Sequence, residues 1–153
     1  MGIQILTVMH LLAVVIFLGN ITVGIFWMHY AAKTKDFKFI SQATKGIIKA
    51  DRIFTLPAAA LLLIAGLGLA MHQKMSIFGT GWIIGSLIMF TISGFAFSAK
   101  LAPLQRKIYA YTSGEKAEWN EFSKMLKQWD FWGMVALISP FLAFLMMILK
   151  FPA

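Results

Sequence analysis

The chain alternates four long apolar stretches with three polar connections. The apolar stretches run from Ile3 to Tyr30, Ile53 to Met71, Gly81 to Ala99 and Phe131 to Leu149. A helix rising 1.5 Å per residue needs about 20 such residues to cross a hydrocarbon layer of roughly 30 Å. The pattern therefore predicts an all-α, four-transmembrane-helix bundle forming a single integral-membrane domain over residues 1–153. The connections cover Ala31 to Arg52, His72 to Thr80, and Lys100 to Asp130.

Two connections carry helical periodicity of their own. Phe37, Ile40, Ala43, Ile47 and Ile48 form one apolar stripe, and Trp119, Phe122, Leu126 and Trp129 form another. Both predict amphipathic interfacial or pre-span helices. Thr112 followed by Glu115 has the spacing of a capping box and is expected to start the second of them. Trp27, Tyr30, Trp82, Trp129 and Trp132 fall at span ends, where amphipathic rings favour the headgroup layer. Pro57 and Pro140 lie inside spans two and four, where each frees a carbonyl and is able to kink its helix. Gly81, Gly85, Gly94 and Ser98 offer small surfaces for close packing in span three.

Composition supports the membrane reading, with 59% hydrophobic and 13% charged residues and a mean hydropathy of +0.77. The formal charge of +8 changes the picture through its distribution. Lys33, Lys35, Lys38, Lys45, Lys49 and Arg52 lie in the first connection, and Lys100, Arg106, Lys107, Lys116, Lys124 and Lys127 in the third. Only Lys74 and Lys150 remain for the other side. The positive-inside rule then places the first and third connections in the cytoplasm and both termini outside. Basic residues so arranged report topology and anionic lipid, so nucleic acid is not an expected partner. The absence of cysteine excludes disulfides, thiolate metal sites and covalently attached c-type haem. The amino terminus lacks the basic n-region of a signal peptide, and the first helix is expected to be retained.

Ionisable and amide groups inside hydrocarbon are costly, which makes the few present the candidates for function. His10, Ala13, Phe17, Asn20, Gly24 and Trp27 fall on one arc of span one, its expected interior face. Asn20 needs a hydrogen-bond partner there and reads either as interhelical glue or as a cofactor contact, with Gly24 beside it. His10 admits three readings: axial haem ligand, proton-relay group, or hydrogen-bonded packing residue. His72, at the far end of span two, is a candidate second ligand if it lies level with His10, and Met9, Met71 and Met75 crowd the same end. Span one is longer than the bilayer, and if it tilts His10 sits on the order of 10 Å deeper than His72. His29 lies beside Trp27 and Tyr30 and reads as an interfacial anchor. No H-E-x-x-H, P-loop, nucleophile elbow or paired carboxylates occur in the spans, and no catalytic residue is assigned.

The order of landmarks carries a resemblance: MHLLAVVIFLGN in span one, ADRIFTLPAAALLLIAGLGL in span two, GTGWIIGSLIMF opening span three, and a closing helix ending ILKFP. In these the chain resembles the small bacterial integral-membrane proteins grouped with the copper-resistance D type and the HemJ-type protoporphyrinogen oxidases, and most of all an uncharacterised four-helix branch of that set. The resemblance implies a bacterial plasma-membrane location and b-type haem held by His10, joined by His72 if the two are level. That group's oxidases also carry an arginine farther along the first helix and a lysine after the tryptophan that opens the third. Phe26 and Ser86 stand at those positions here, which separates porphyrinogen oxidation from haem binding. The expectation is a multi-pass membrane protein with b-type haem for electron transfer or redox sensing, in contact with lipid and with a redox partner or a second copy of itself. The rival expectation is a cofactor-free scaffold or transport accessory whose Asn20, Gly24 and prolines serve packing.

Overall fold

The computed structural model describes residues 1–153 and is helical without any strand. Helix α1 spans Gly2–Lys33. Helix α2 (Phe37–Ala50) passes through a π turn (Asp51–Thr55) directly into α3 (Leu56–His72). Helix α4 (Gly81–Phe95) likewise passes through a second π turn (Ala96–Leu101) into α5 (Ala102–Thr112), and α6 covers Trp119–Leu149. The result is four continuous rods, each long and apolar enough to cross a membrane. At 1.5 Å per residue they are about 46–54 Å long, well beyond the roughly 30 Å of hydrocarbon.

Both π turns have the same cause. The Leu56 N–H reaches back five residues to the Asp51 carbonyl, and the Ala102 N–H reaches back to Phe97. Each of these residues precedes a proline, Pro57 or Pro103, whose ring crowds the preceding turn and brings no N–H to it. A widened turn absorbs the misfit without ending the rod. Pro140 is handled differently. It removes the donor for the Ala136 carbonyl, four residues earlier, and Ser93 Oγ on α4 supplies a replacement at 2.7 Å.

Helix α1 packs along α3, and α4 along α6; the two pairs meet through α1 and α6, while α3 and α4 make no close approach. At the end carrying the first and third connections the rods close on one apolar core that includes Met28, Ile40, Leu104, Ile108, Phe122 and Trp129. Ile40 and Ile47 of α2 face that core while Lys38, Lys45 and Lys49 are exposed. The amphipathic segments therefore stand upright as extensions of the spans. Both termini lie at the opposite end, where Gly81 N–H donates to the Ala153 carbonyl at 3.2 Å.

Two local expectations are corrected. Thr112 does not begin a helix: the periodicity of Leu104 and Ile108 continues span three, and Thr112 closes α5 with its hydroxyl on the Ile108 carbonyl at 2.8 Å. Of the small residues of span three, Gly85 and Ser93 serve the close contact of α4 with α6, a Cβ on Gly85 sitting 2.9 Å from Met146 Sδ, while Gly94 and Ser98 are on the exposed face of the single chain. Trp27 leaves the interior arc of α1 and is 45% exposed, because the buried face continues through Ile21 and Met28. Elsewhere the outer surface is apolar, with Val15 68% and Ile64 67% exposed, the surface expected to face lipid tails.

Candidate functional site: an interhelical cleft at the terminal end

Because α3 and α4 stand apart, the terminal half of the bundle contains a cleft of about 260 Å³ between the two helix pairs. Its walls are mainly apolar: Phe17 and Leu18 from α1, Leu62 and Leu67 from α3, Leu87 and Phe90 from α4, and Phe144 from α6. His10, Ser86, Met75, Met147 and Lys150 bring heteroatoms to the lining.

His10 is 8% exposed. Its Nδ1 lies 3.1 Å from the Leu62 carbonyl. A carbonyl only accepts, so Nδ1 carries the hydrogen and Nε2 holds the free lone pair. Gly66 makes this placement feasible, since a Cβ there would lie 2.9 Å from His10 Cε1 and 3.2 Å from Nδ1. The ring is thus fixed at one nitrogen, lies against a gap in α3, and lines the cleft.

His72 is not level with His10. His10 is opposite Gly66, whereas His72 is opposite Gly2, with its ring 4.0 Å from a Cβ built there. The offset is six residues on α3 and eight on α1, or about 9–12 Å along the bundle. His72 is exposed and does not line the cleft, so the two histidines do not converge on one point. Of the methionines at that end, Met75 lines the cleft, joined by Met147, while Met71 is 70% exposed.

Asn20 and Gly24 are also separate from His10, ten and fourteen residues farther along α1, and they line a second cleft of about 310 Å³ with Trp27, Ala43 and Gly46. Asn20 is interhelical glue: its Nδ2 donates to Thr55 Oγ1 at 2.7 Å and to Asp51 Oδ1 at 3.2 Å. Gly24 admits Ile47, whose Cγ2 lies 3.8 Å from a Cβ built on the glycine. Sequence reasoning missed Asp51, Thr55 and Gln105, although the spacing of Asp51 and Thr55 puts both on one helix face. His29 has a partner that was also missed: its Nε2 lies 2.8 Å from Asp130 Oδ1 on α6. At the mouth of the first cleft Lys150 Nζ sits 3.7 Å above the Trp82 ring, a cation–π contact. Ser86 Oγ lies 2.7 Å from the Trp82 carbonyl and 3.2 Å from the Ala143 carbonyl, which share its one hydroxyl hydrogen, while Phe26 is 60% exposed.

A family model described as "Predicted integral membrane protein (DUF2269)" matches residues 4–151. The chain belongs to this family. The match takes in all four rods and the cleft between them, so the chain is a multi-pass integral membrane protein of the DUF2269 family. No curated protein and no solved structure matches it. The family match bears out the expected uncharacterised integral-membrane family.

Proposed function

We propose that the cleft binds b-type haem in the plasma membrane of a bacterium, with His10 as axial ligand, and that the protein transfers electrons or senses redox state. The observation that carries the reading is the placement of His10: a buried imidazole with Nδ1 held at a backbone carbonyl and no hydrogen bond at Nε2, on the wall of an apolar cleft. Metal-bound histidines are held in the same way, by a hydrogen bond from the second ring nitrogen that sets tautomer and orientation. The residues present fit the group. Met75 and Met147 offer thioethers across the same space, and Lys150 at the mouth suits an acidic edge. The gap between α3 and α4 lets a flat ring larger than the enclosed volume extend toward lipid. When bound, haem supplies one-electron redox chemistry. The chain's own residues orient the ligand nitrogen and exclude water.

The resemblance to copper-resistance D and HemJ-type proteins supports the same reading, while the offset of His72 takes away the second histidine ligand expected from the sequence. The twelve basic residues of the first and third connections support an orientation with both termini outside. A second reading, the cofactor-free scaffold, is favoured by one feature: with its Leu62 bond and its Gly66 contact, His10 is already a satisfied packing residue. Purification from haem-replete cells separates the two. Sharp reduced-minus-oxidised absorbance bands with a fixed haem-to-protein ratio are expected, and a featureless spectrum would favour the scaffold.

A further inference from the structure

A second cluster of polar side chains, Asn20, Asp51, Thr55 and Gln105, lies outside the first cleft. Asp51 opens the first π turn, is 7% exposed, and has no Lys, Arg or His within ion-pairing distance. Its carboxylate is held only by neutral donors from three elements. Asn20 Nδ2 of α1 donates to Oδ1 at 3.2 Å, Thr55 Oγ1 of the same π turn donates to Oδ1 at 2.9 Å, and Gln105 Nε2 of α5 donates to Oδ2 at 3.2 Å. Helix α2 brings Ala43, Gly46, Ile47 and Ala50 to the cleft that Asn20 lines, and the nearest charged residues in sequence, Lys49, Arg52 and Arg106, are all exposed. A buried ionisable residue in or beside a membrane span, here compensated by dipoles alone, is a candidate functional site. The π turn that carries it is a structure found often at such sites.

We propose that Asp51 is a proton-binding site, with Gln105 as the group that responds to its charge. The donor set favours a proton over a metal ion. The amide N–H groups and the Thr55 hydroxyl present hydrogens to the carboxylate, so a cation would require both amides to turn over, whereas Oδ2 keeps a lone pair able to take a proton. Once protonated, Oδ2 becomes a donor facing a donor. Rotation of the Gln105 amide by half a turn puts Oε1 in place of Nε2, and the bond re-forms with reversed polarity. The network thus has two self-consistent arrangements, which differ by one proton and one amide flip. Asn20, which lines the second cleft and bonds Asp51, connects the site to the surface.

The test is pH-difference infrared spectroscopy of the full chain in lipid nanodiscs. A protonated-carboxyl C=O band with a deuterium shift is expected at low pH, lost in Asp51→Asn, displaced in frequency in Gln105→Leu, and intact in Asp130→Asn. Gln105→Leu keeps the carboxyl in place, so it decides the matter even if Asp51→Asn fails to fold. A difference spectrum unchanged in folded Asp51→Asn would overturn the site, and a band unmoved in Gln105→Leu would overturn the coupling. Neither outcome depends on haem, so this proposal fails or stands apart from the cofactor reading.

Discussion

At the scale of single residues, backbone carbonyls direct much of the chemistry. Leu62 O fixes the tautomer of His10, and Ala136 O, released by Pro140, anchors Ser93. Ser93→Ala should cost about 0.6 and at most about 1.7 kcal/mol, the range measured for hydrogen bonds between membrane helices, and a thermal-unfolding series in detergent checks it. Gly66→Ala is the more informative change. Its Cβ would fall 2.9 Å from the His10 ring, so the ring must move off the Leu62 carbonyl. Haem content of the purified variant should fall sharply, whereas Gly94→Ala, with nothing within 4 Å of its Cβ, should leave it unchanged. The candidate histidine was legible in the sequence because an imidazole among Leu and Val stands out. Gly66 was not, since a glycine in an apolar helix carries no mark of what lies opposite it.

At the scale of elements, the four spans and the apolar stripes of α2 and α6 were legible from periodicity, which depends only on local spacing. What periodicity does not encode is whether a helix stops at the membrane edge. Arg52 and Lys100 read as the polar limits of spans, yet both lie inside rods that continue through π turns. The same blindness hid Gln105, which joins Asp51 only because α5 continues α4 and packs against α2. The upright stance of α2 has a direct check in a chain that contains no cysteine of its own. Gly24→Cys with Ile47→Cys should form an intramolecular disulfide on mild oxidation, because a Cβ at 24 lies 3.8 Å from Ile47 Cγ2. Gly24→Cys with Lys45→Cys, whose second position is on the exposed face, should not. A helix lying flat on the membrane surface would cross-link neither pair; gel mobility reads the result.

At the scale of the whole molecule, the two ends are built differently. One is closed by a core of large side chains and ringed by lysines; the other is parted by a cleft. Reporter fusions after Lys45 and Lys116 should give cytoplasmic signals, and an external signal at either would reverse the orientation. Ligation of haem by His10 in the parted half is read from the reduced-minus-oxidised spectrum of His10→Ala beside His72→Ala and His29→Ala, all purified from haem-replete cells. If His10 is the ligand, the bands vanish in His10→Ala and persist in the other two, because His72 is about 9–12 Å off level and His29 belongs to the far end. Bands that survive unchanged in His10→Ala would contradict it.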